Sequence, residues 1–259
     1  MPDLLNRVRR HELESVRKLF PPGSSVVEIG GGSGFQASII SSWDCAVRSF
    51  DIAGRAKPDD SHYQVDDYDG IHLPLPDASA DIVFSSNVLE HVRDLAGLLA
   101  ETWRVMKPEG LAIHILPTPS WRFWSIVTHY PFVLLTALGI PAGFVDWSNS
   151  VARQERIRDR GVSHLLRRAF WPGPHGEFPN AFSELAGFRA AHWTRALEKA
   201  GLVVERVVPS GIYYSGYGIL AGLPLTARCR MARVLGSSTQ VIVARKRADA
   251  GQRQQRETL

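Results

Sequence analysis

The 259-residue sequence is poor in cysteine and lacks the segments that mark several other classes of protein. Its two cysteines, Cys45 and Cys229, are too few for a disulfide framework and lack the spacing of a zinc knuckle. Residues 1–20 contain no apolar run that could serve as a signal-peptide core, so we expect a cytoplasmic protein. Because no lysine-rich block or nucleic-acid-binding motif occurs, we expect no nucleic-acid partner.

The charge of the chain is mildly basic. Thirty lysines and arginines face twenty-six acids, which gives a formal net charge of +4 and a pI near 9.3. Arginines within residues 153–168 and in the tail after Arg245 supply most of this excess. A balance of this kind favours an anionic partner without identifying it.

Short β-branched runs alternate with helical patterns along the chain, which predicts a parallel sheet. Amphipathic helices are predicted at 94–106 and at 188–200. The fold class that follows is α/β and Rossmann-like, with a mostly parallel seven-stranded sheet, helices on both faces and an inserted, largely helical cap between strands 5 and 6. The predicted strands cover residues 26–29, 46–50, 62–65, 81–85, 111–116, 202–208 and 239–244.

About seventy residues between the fifth strand and the 188–200 helix are not required by this alternation. Insertions of that size usually cover or shape a site. We therefore predict a Rossmann-like domain at 1–117 and 188–247 and an inserted substrate-recognition or lid region at 118–187. The charged, glutamine-rich tail at 248–259 is predicted to be disordered.

A glycine-rich loop follows the first predicted strand, and the segment from Glu28 to Gly34 reads EIGGGSG. A dinucleotide fingerprint that starts at Gly30 needs glycine at its sixth position, where this loop has Phe35. The ring of Phe35 would obstruct the close packing of helix on strand. A carboxylate at Glu28 suits a ligand with an ammonium or sulfonium group, and it suits phosphates poorly. The loop therefore predicts a cofactor with a cationic end and no pyrophosphate.

Further motifs follow the loop in order. The segment LPLPDASADIVFSSNVLEHV spans residues 73–92, and RVMKPEG spans 104–110. Together with the loop and an acid-rich third strand, they resemble the class I S-adenosylmethionine-dependent methyltransferases, in particular the methyltransferase type 11-like group. The resemblance covers about residues 26–116 and resumes over 188–202. It implies methyltransferase activity with S-adenosyl-L-methionine as the cofactor.

The resemblance also assigns roles to residues near the loop. Glu28 would organise the methionine end of the cofactor, and Gly30 and Gly32 would let the backbone approach it. Asp51, seventeen residues beyond Gly34, would accept hydrogen bonds from both ribose hydroxyls. These assignments place the cofactor at the ends of the first two strands.

Three more positions complete the expected cofactor site. Ile52 would lie against the adenine, and Asn87 would lie beneath the cofactor near the methyl donor. Asp67 would accept a hydrogen bond from the adenine amino group, although Asp66 and Asp69 are close enough in sequence to replace it. A turn acid that only caps the next segment is the structural alternative for Asp67.

Transfer of a methyl group to a hydroxyl also needs a base, and histidine is the usual choice near neutral pH. His175 is the leading candidate, because it lies in a stiff, turn-rich segment with Glu177 and Glu184 nearby to orient an imidazole. His91, which follows Glu90 in the second motif, is the other catalytic candidate, with a role at the start of a helix as the alternative. We predict no metal, since no further ligands converge in sequence near His175.

The inserted region carries two patterns that bear on the substrate. Residues 123–145 contain no Asp, Glu, Lys or Arg, and prolines and a histidine interrupt them, which favours an apolar lid or an interfacial element over a membrane span. A stripe that could grip phosphates, with a solvated helix face as its alternative, follows at helical spacing. Its members are Arg153, Arg156, Arg160, His164 and Arg167.

From these patterns the expected acceptor is an oxygen of a glycan or lipid-linked molecule at the inner membrane face, so the expected partners include an anionic membrane surface. A soluble or isoprenoid-like small molecule is the alternative acceptor. A non-catalytic, cofactor-binding partner subunit and a nicotinamide-dependent oxidoreductase are alternatives of other classes.

Overall fold

The computed structural model describes residues 4–54, 61–137, 170–216 and 222–247. The strands are β1 (Ser25–Ile29), β2 (Ala46–Ile52), β3 (Val65–Tyr68), β4 (Ala80–Ser86), β5 (Met106–Pro117), β6 (Leu202–Pro209) and β7 (Thr239–Lys246). The helices are α1 (Leu4–Ser15), α2 (Phe35–Ser41), α3 (Leu95–Val105), α4 (Pro119–Ala137), α5 (Ser183–Gly187), α6 (Ala190–Lys199) and α7 (Leu225–Leu235).

The seven strands form one sheet in the order β3-β2-β1-β4-β5-β7-β6. The pairings of β1 with β2, β1 with β4, β2 with β3 and β4 with β5 are parallel. The strand order reverses between β1 and β4, so the loops after these two strands leave the sheet in opposite directions and open a crevice at their carboxyl ends. This confirms the predicted Rossmann-like sheet.

One large apolar cluster of buried residues covers a face of this sheet. Because β1 and β4 lie in the middle of the sheet, they are covered on both faces and are buried at nearly every position. The buried members of the cluster are Leu13, Val16, Phe20, Val26, Ala37, Ile39, Ile40, Trp43, Cys45, Val47, Ile82, Phe84, Ile113, Ile115, Val241 and Val243.

The third strand differs from its prediction. The sequence predicted a strand at 62–65 that ends before the acids, whereas β3 runs from Val65 to Tyr68 and contains Asp66 and Asp67. The strand lies at the edge of the sheet, where carboxylates can reach solvent or a cation. Tyr68 is buried, with its ring 6.4 Å from that of Phe50.

The fifth strand is also longer than predicted. Helix α3 ends at Val105, with Asp94 accepting a hydrogen bond from the Gly97 amide as its amino-terminal cap. Strand β5 begins at the next residue, so Pro108 lies inside the strand. The pairing between β4 and β5 is irregular at this point, and an irregular pairing tolerates the missing amide hydrogen.

The last third of the chain holds helices that the prediction placed differently or missed. The expected helix at 188–200 is α6, which spans Ala190–Lys199 and follows the separate short helix α5. Helix α7, Leu225–Leu235, was not predicted. The predicted arginine stripe, the residues after 137 in the uncharged run and the tail at 248–259 lie outside the described residues.

The chain divides into two compact units, each described by itself. The sheet unit comprises the described residues of 12–116, 190–208 and 240–247. The α4 unit comprises those of 4–11, 117–189 and 209–239. The α4 unit therefore contains more than the predicted insertion, because residues before α4 and after β6 join it.

Hydrogen bonds between distant residues hold the α4 unit together. The Thr118 side chain accepts a hydrogen bond from the Trp121 amide at the start of α4, and the Thr118 amide donates to the Ser238 carbonyl. The Trp124 indole donates to the Leu235 carbonyl at 2.9 Å, so the end of α7 lies against α4. Among the described residues, no helix has the length and apolar character needed to cross a membrane.

Candidate active site

The glycine loop joins β1 to α2 at the carboxyl end of the sheet. Gly30 and Gly32 have positive φ angles of 78° and 55°, a conformation that glycine adopts without strain. A Cβ atom on Gly30 would overlap the Val88 side chain, so the loop packs directly against the residue that follows Asn87. A Cβ on Gly32 would meet nothing within 4 Å. The loop is therefore packed on one side and open on the other, which suits the close approach of a ligand.

Glu28 lies beneath this loop with its side chain buried. The Ser49 hydroxyl donates a hydrogen bond of 2.5 Å to Glu28 Oε2. Burial raises the pKa of Glu28 to about 7; the Ser49 hydrogen bond opposes this effect, and the charge of Asp51 adds to it. A carboxyl group in this state gains from a cation placed nearby, because the cation would favour its ionised form.

Asp51 lies at the end of β2 and ties the loop to the strand. Its Oδ2 accepts a hydrogen bond of 2.7 Å from the Gly32 amide, and its Oδ1 accepts one of 2.8 Å from the Ile52 amide. A carboxylate has about four acceptor positions, so these two bonds leave capacity for ribose hydroxyls. The side chain of Ile52 is 49% exposed, an unusual fraction for a large aliphatic residue that ends a strand. A flat, apolar adenine ring would fit against it.

The acids of β3 differ in their surroundings. Asp67 pairs with Asp51 in the strand register and therefore lies on the same face of the sheet. Asp66 contacts Arg48 at 3.5 Å and accepts a hydrogen bond from Gln64. Asp69 accepts hydrogen bonds from the amides of the turn that follows it. The geometry thus favours Asp67 as the acid beside the expected adenine.

Asn87 follows β4 with a φ angle of +56°, which is uncommon for any residue other than glycine. The backbone amide of Asn87 donates a hydrogen bond of 2.8 Å to the Ile115 carbonyl of β5, and this bond fixes the backbone at Asn87. Non-glycine residues in this conformation are often found at functional sites. The structure therefore holds Asn87 in a defined position at the same end of the sheet as the glycine loop.

His91 ends a single 3₁₀ turn, Leu89–His91, and so does not start an α-helix. Its ring is exposed, whereas the Glu90 side chain beside it is buried. The two side chains are 3.9 Å apart between Nε2 and Oε1. His91 remains an exposed imidazole next to a carboxylate in the sheet unit.

His175 lies in the α4 unit, and its surroundings differ from the expected ones. Glu184 Oε1 accepts hydrogen bonds from the backbone amides of His175 and Gly176, at 2.6 and 2.7 Å, so it holds the chain at this position. The His175 imidazole packs edge-on against the Trp121 ring, with 4.6 Å between centroids. Its orientation therefore depends on an aromatic neighbour that the sequence did not indicate.

Glu184 is fully buried and pairs with Arg122 of α4, with 2.6 Å between Oε2 and Nε. Arg122 also donates to the carbonyls of Gly173 and Ala181, so it binds both ends of the segment that carries His175. Burial raises the pKa of Glu184 despite this partner. The only sequence signal for this pair is an arginine between aromatic residues at the start of an apolar helix.

The structure thus brings the predicted cofactor residues together at one edge of the sheet unit. They follow or end the strands β1, β2, β3 and β4. Sequence reasoning missed Ser49, the partner of Glu28, although a serine between Val47 and Phe50 in a predicted strand is a visible signal. It also missed the buried pair of Ser85 and His114, which are 2.8 Å apart between hydroxyl and Nδ1.

Comparison with known proteins gives the same picture. Residues 27–114 match the family model described as a methyltransferase domain. The chain is 36% identical over 119 residues to a probable S-adenosylmethionine-dependent methyltransferase of Mycolicibacterium smegmatis, covering 43% of this chain and 45% of that protein. It is 33% identical over 99 residues to malonyl-[acyl-carrier protein] O-methyltransferase of Serratia marcescens, covering 36% and 38%. The chain spans less than half the length of these two relatives.

A solved structure of an S-adenosylmethionine-dependent methyltransferase from Mesorhizobium loti resembles the whole fold. It aligns over 91% of this chain and 98% of its own, with a TM-score of 0.52 and 19% identity, and at that identity it shows the fold alone. Together these matches confirm the resemblance to class I S-adenosylmethionine-dependent methyltransferases and S-adenosylmethionine as the cofactor that it implies.

Proposed function

We propose that this protein transfers a methyl group from S-adenosylmethionine to an oxygen of a glycan or lipid-linked acceptor. The observation that carries the proposal is the pair of buried acids, Glu28 and Asp51, around a loop whose Gly32 faces open space. An anionic site of this kind attracts a cofactor with ammonium and sulfonium groups and would repel phosphates. When bound, this cofactor supplies an electrophilic methyl group.

The chain contributes chiefly by positioning, because displacement at a methyl carbon requires the acceptor, carbon and sulfur to lie nearly in line. Asp51 would accept the ribose hydroxyls, and Ile52 would cover the adenine. Asn87, with its backbone fixed by β5, would lie beneath the reacting end. The roles follow from the positions of these residues at the carboxyl edge of the sheet.

An oxygen acceptor is supported by the resemblance to a protein whose name describes an O-methyltransferase. A hydroxyl acceptor also needs a group that takes its proton. We assign this role to His175, whose backbone is held by Glu184 and whose ring is held by Trp121, and we keep His91 as the alternative. Replacement of each histidine by alanine separates the two: the base is the one whose loss lowers turnover and leaves cofactor affinity unchanged.

The class of acceptor is supported by the α4 unit, which combines an uncharged stretch of helix with an excess of arginine. A lipid-linked or glycan acceptor with anionic groups suits this combination. The rival acceptor is a soluble or isoprenoid-like small molecule, for which α4 would form only the wall of an apolar pocket.

The experiment is an incubation of the full chain with S-adenosylmethionine labelled on its methyl group, together with either cell-envelope or soluble extracts. We expect label in the lipid or glycan fraction of the envelope extract, and much less when Asp51→Ala replaces the parent. Label only in soluble small molecules would support the rival acceptor. Binding of S-adenosylhomocysteine without transfer to either extract would support a non-catalytic partner subunit. Tight binding of NAD with no binding of S-adenosylhomocysteine would overturn the proposal.

A further inference from the structure

Helix α4 exposes an apolar ridge where a surface helix normally carries polar side chains. The ridge consists of Phe123, Val127, Tyr130 and Leu134, at offsets of four, three and four residues, so the side chains form one stripe along the helix. The exposed fraction reaches 60% at Leu134. The apolar ridge is therefore a continuous surface and differs from a single exposed residue, which would need no explanation.

The other face of α4 accounts for the packing of the helix. Trp121, Ser125, Ile126 and His129 are buried, and Arg122, the only charged residue of the helix, is buried against Glu184. The packing of the α4 unit thus uses one face and leaves the apolar ridge outside. The helix therefore has no Asp, Glu, Lys or Arg side chain on the face that carries the ridge.

A second group of exposed aromatic residues adjoins the apolar ridge. The Tyr130 hydroxyl reaches the Phe170 carbonyl at 3.5 Å, and both Phe170 and Trp171 are more than half exposed. The Trp171 ring lies 5.2 Å from the exposed ring of Phe182. Tryptophan and tyrosine are the residues that proteins concentrate at the level of lipid headgroups.

Exposed arginines lie on helix α7, whose end contacts α4. The Trp124 indole holds the end of α7 against α4, and the last turns of α7 expose Arg230, Arg233 and Val234. Helix α7 contains no acid. The described residues of the α4 unit carry eight arginines and two glutamates, and one of these glutamates is the buried Glu184. The described residues of the α4 unit therefore carry a net positive charge.

We infer that the apolar ridge, together with Arg230 and Arg233 of α7, forms a docking surface for an anionic lipid bilayer. The ridge would enter the boundary between headgroups and acyl chains, and the arginines would bind anionic headgroups. A bilayer fits better than a second protein chain because an uncharged ridge, with exposed aromatic side chains next to it, belongs to a unit whose described residues expose a single acid, Glu177, among several arginines. The inference rests on the proposed function in one respect: docking would bring the protein to the membrane surface that holds a lipid-linked acceptor.

The test is co-sedimentation of the full chain, without cofactor or acceptor, with vesicles of phosphatidylcholine alone or with one part in three of phosphatidylglycerol. We expect binding to the anionic vesicles that weakens as salt is raised, because salt screens the arginine contacts. The double variant Phe123→Ser, Leu134→Ser should lower partitioning by at least about tenfold, the loss expected for two side chains that no longer enter the bilayer. Arg230→Gln with Arg233→Gln should lower it on anionic vesicles only.

The matched control is Val203→Ser with Val207→Ser, which removes two exposed apolar side chains from β6 of the sheet unit and should leave partitioning unchanged. A thermal melt of each variant checks that it is folded. Equal binding of parent and ridge variant would overturn the inference, as would equal binding of the parent to both kinds of vesicle. So would a dimer in sedimentation velocity that the ridge variant dissociates. Titration with S-adenosylhomocysteine tests the proposed function separately, since it needs no vesicle.

Discussion

The two units of this protein differ in charge far more than the mild total suggests. The described residues of the sheet unit carry sixteen acids and twelve basic residues, whereas those of the α4 unit carry two acids and eight arginines. The acids of the sheet unit include Glu28, Asp51 and Asp67 at the carboxyl ends of the strands. A net charge of the whole chain therefore says little about either surface. A site for a cation and a surface for anions can therefore belong to different units of one chain.

The largest effect should come from Glu184, the one buried acid among the described residues of the α4 unit. Glu184→Ala leaves Arg122 buried without its carboxylate, and loss of one partner of a buried pair costs about 3 to 5 kcal/mol. We expect a large fall in melting temperature by calorimetry. Glu177→Ala, in the same segment but exposed, is the control and should change it little. Loss of S-adenosylhomocysteine binding in Glu184→Ala protein that is still folded would contradict the expectation that the sheet unit alone binds the cofactor.

The next effect concerns the acidic end of the sheet. Asp51→Ala should lower the affinity for S-adenosylhomocysteine by about 2 to 3 kcal/mol, or roughly thirty- to more than a hundredfold, by calorimetric titration. The reason is the loss of a charged acceptor, together with the release of the Gly32 amide from β2. Asp66→Ala is the matched control, because Asp66 contacts Arg48 and is not expected to contact the cofactor. Unchanged affinity in folded Asp51→Ala would show that Asp51 does not have the assigned role in binding the ribose.

The pH dependence of cofactor binding sharpens the role of Glu28. Because its pKa is raised to about 7 and a cation favours its ionised form, affinity for S-adenosylhomocysteine should rise by about twentyfold between pH 5.5 and 7.5 and level off above that. The ligand-free protein behaves oppositely: a raised pKa stabilises the fold below about pH 4.5, and this contribution is lost as the pH rises towards 7. Glu28→Gln should remove the dependence. A parent protein whose affinity is flat over this range would contradict the assignment.

The smallest effect concerns backbone strain in the sheet unit at a position outside the candidate site. Ala78 is exposed and has a φ angle of +49°, in the turn before β4. Ala78→Gly should stabilise the protein by about 1 kcal/mol, because glycine adopts this conformation without strain. Ala100→Gly, at an exposed position in the middle of α3, is the control of opposite sign and should destabilise by about the same amount. Denaturant unfolding measures both, and neither should change cofactor affinity.

Local patterns predicted the part of the fold that local chemistry determines. The glycine loop and the end of β2 were predictable because a left-handed backbone requires glycine and because parallel strands end at one edge. The extent of β3 was not, because Asp66 and Asp67 belong to the strand only through their pairing with β2, and that pairing depends on the order of all strands. The composition of the α4 unit was not predictable either. It depends on contacts such as Thr118 with Ser238, which are separated by 120 residues.

The same limit applied to the candidate site. The acids that end strands were visible in sequence, whereas the surroundings of each side chain were not. Glu28 meets Ser49 only because β1 and β2 align in one register, and Glu184 meets a backbone where an imidazole was expected. Contacts of this kind decide a pKa or an orientation, and they exist only after distant segments have met.

The packing of Gly30 against Val88 has a consequence for the folding kinetics of the protein. The loop after β1 acquires its shape from a residue after β4, and β1 and β4 must pair across about fifty intervening residues. Parallel pairing over such separations is slow and completes late. The cofactor would therefore find its site only in molecules that have almost finished folding. We expect saturating S-adenosylhomocysteine to slow the unfolding rate while leaving the refolding rate unchanged, as an interaction absent from the transition state does.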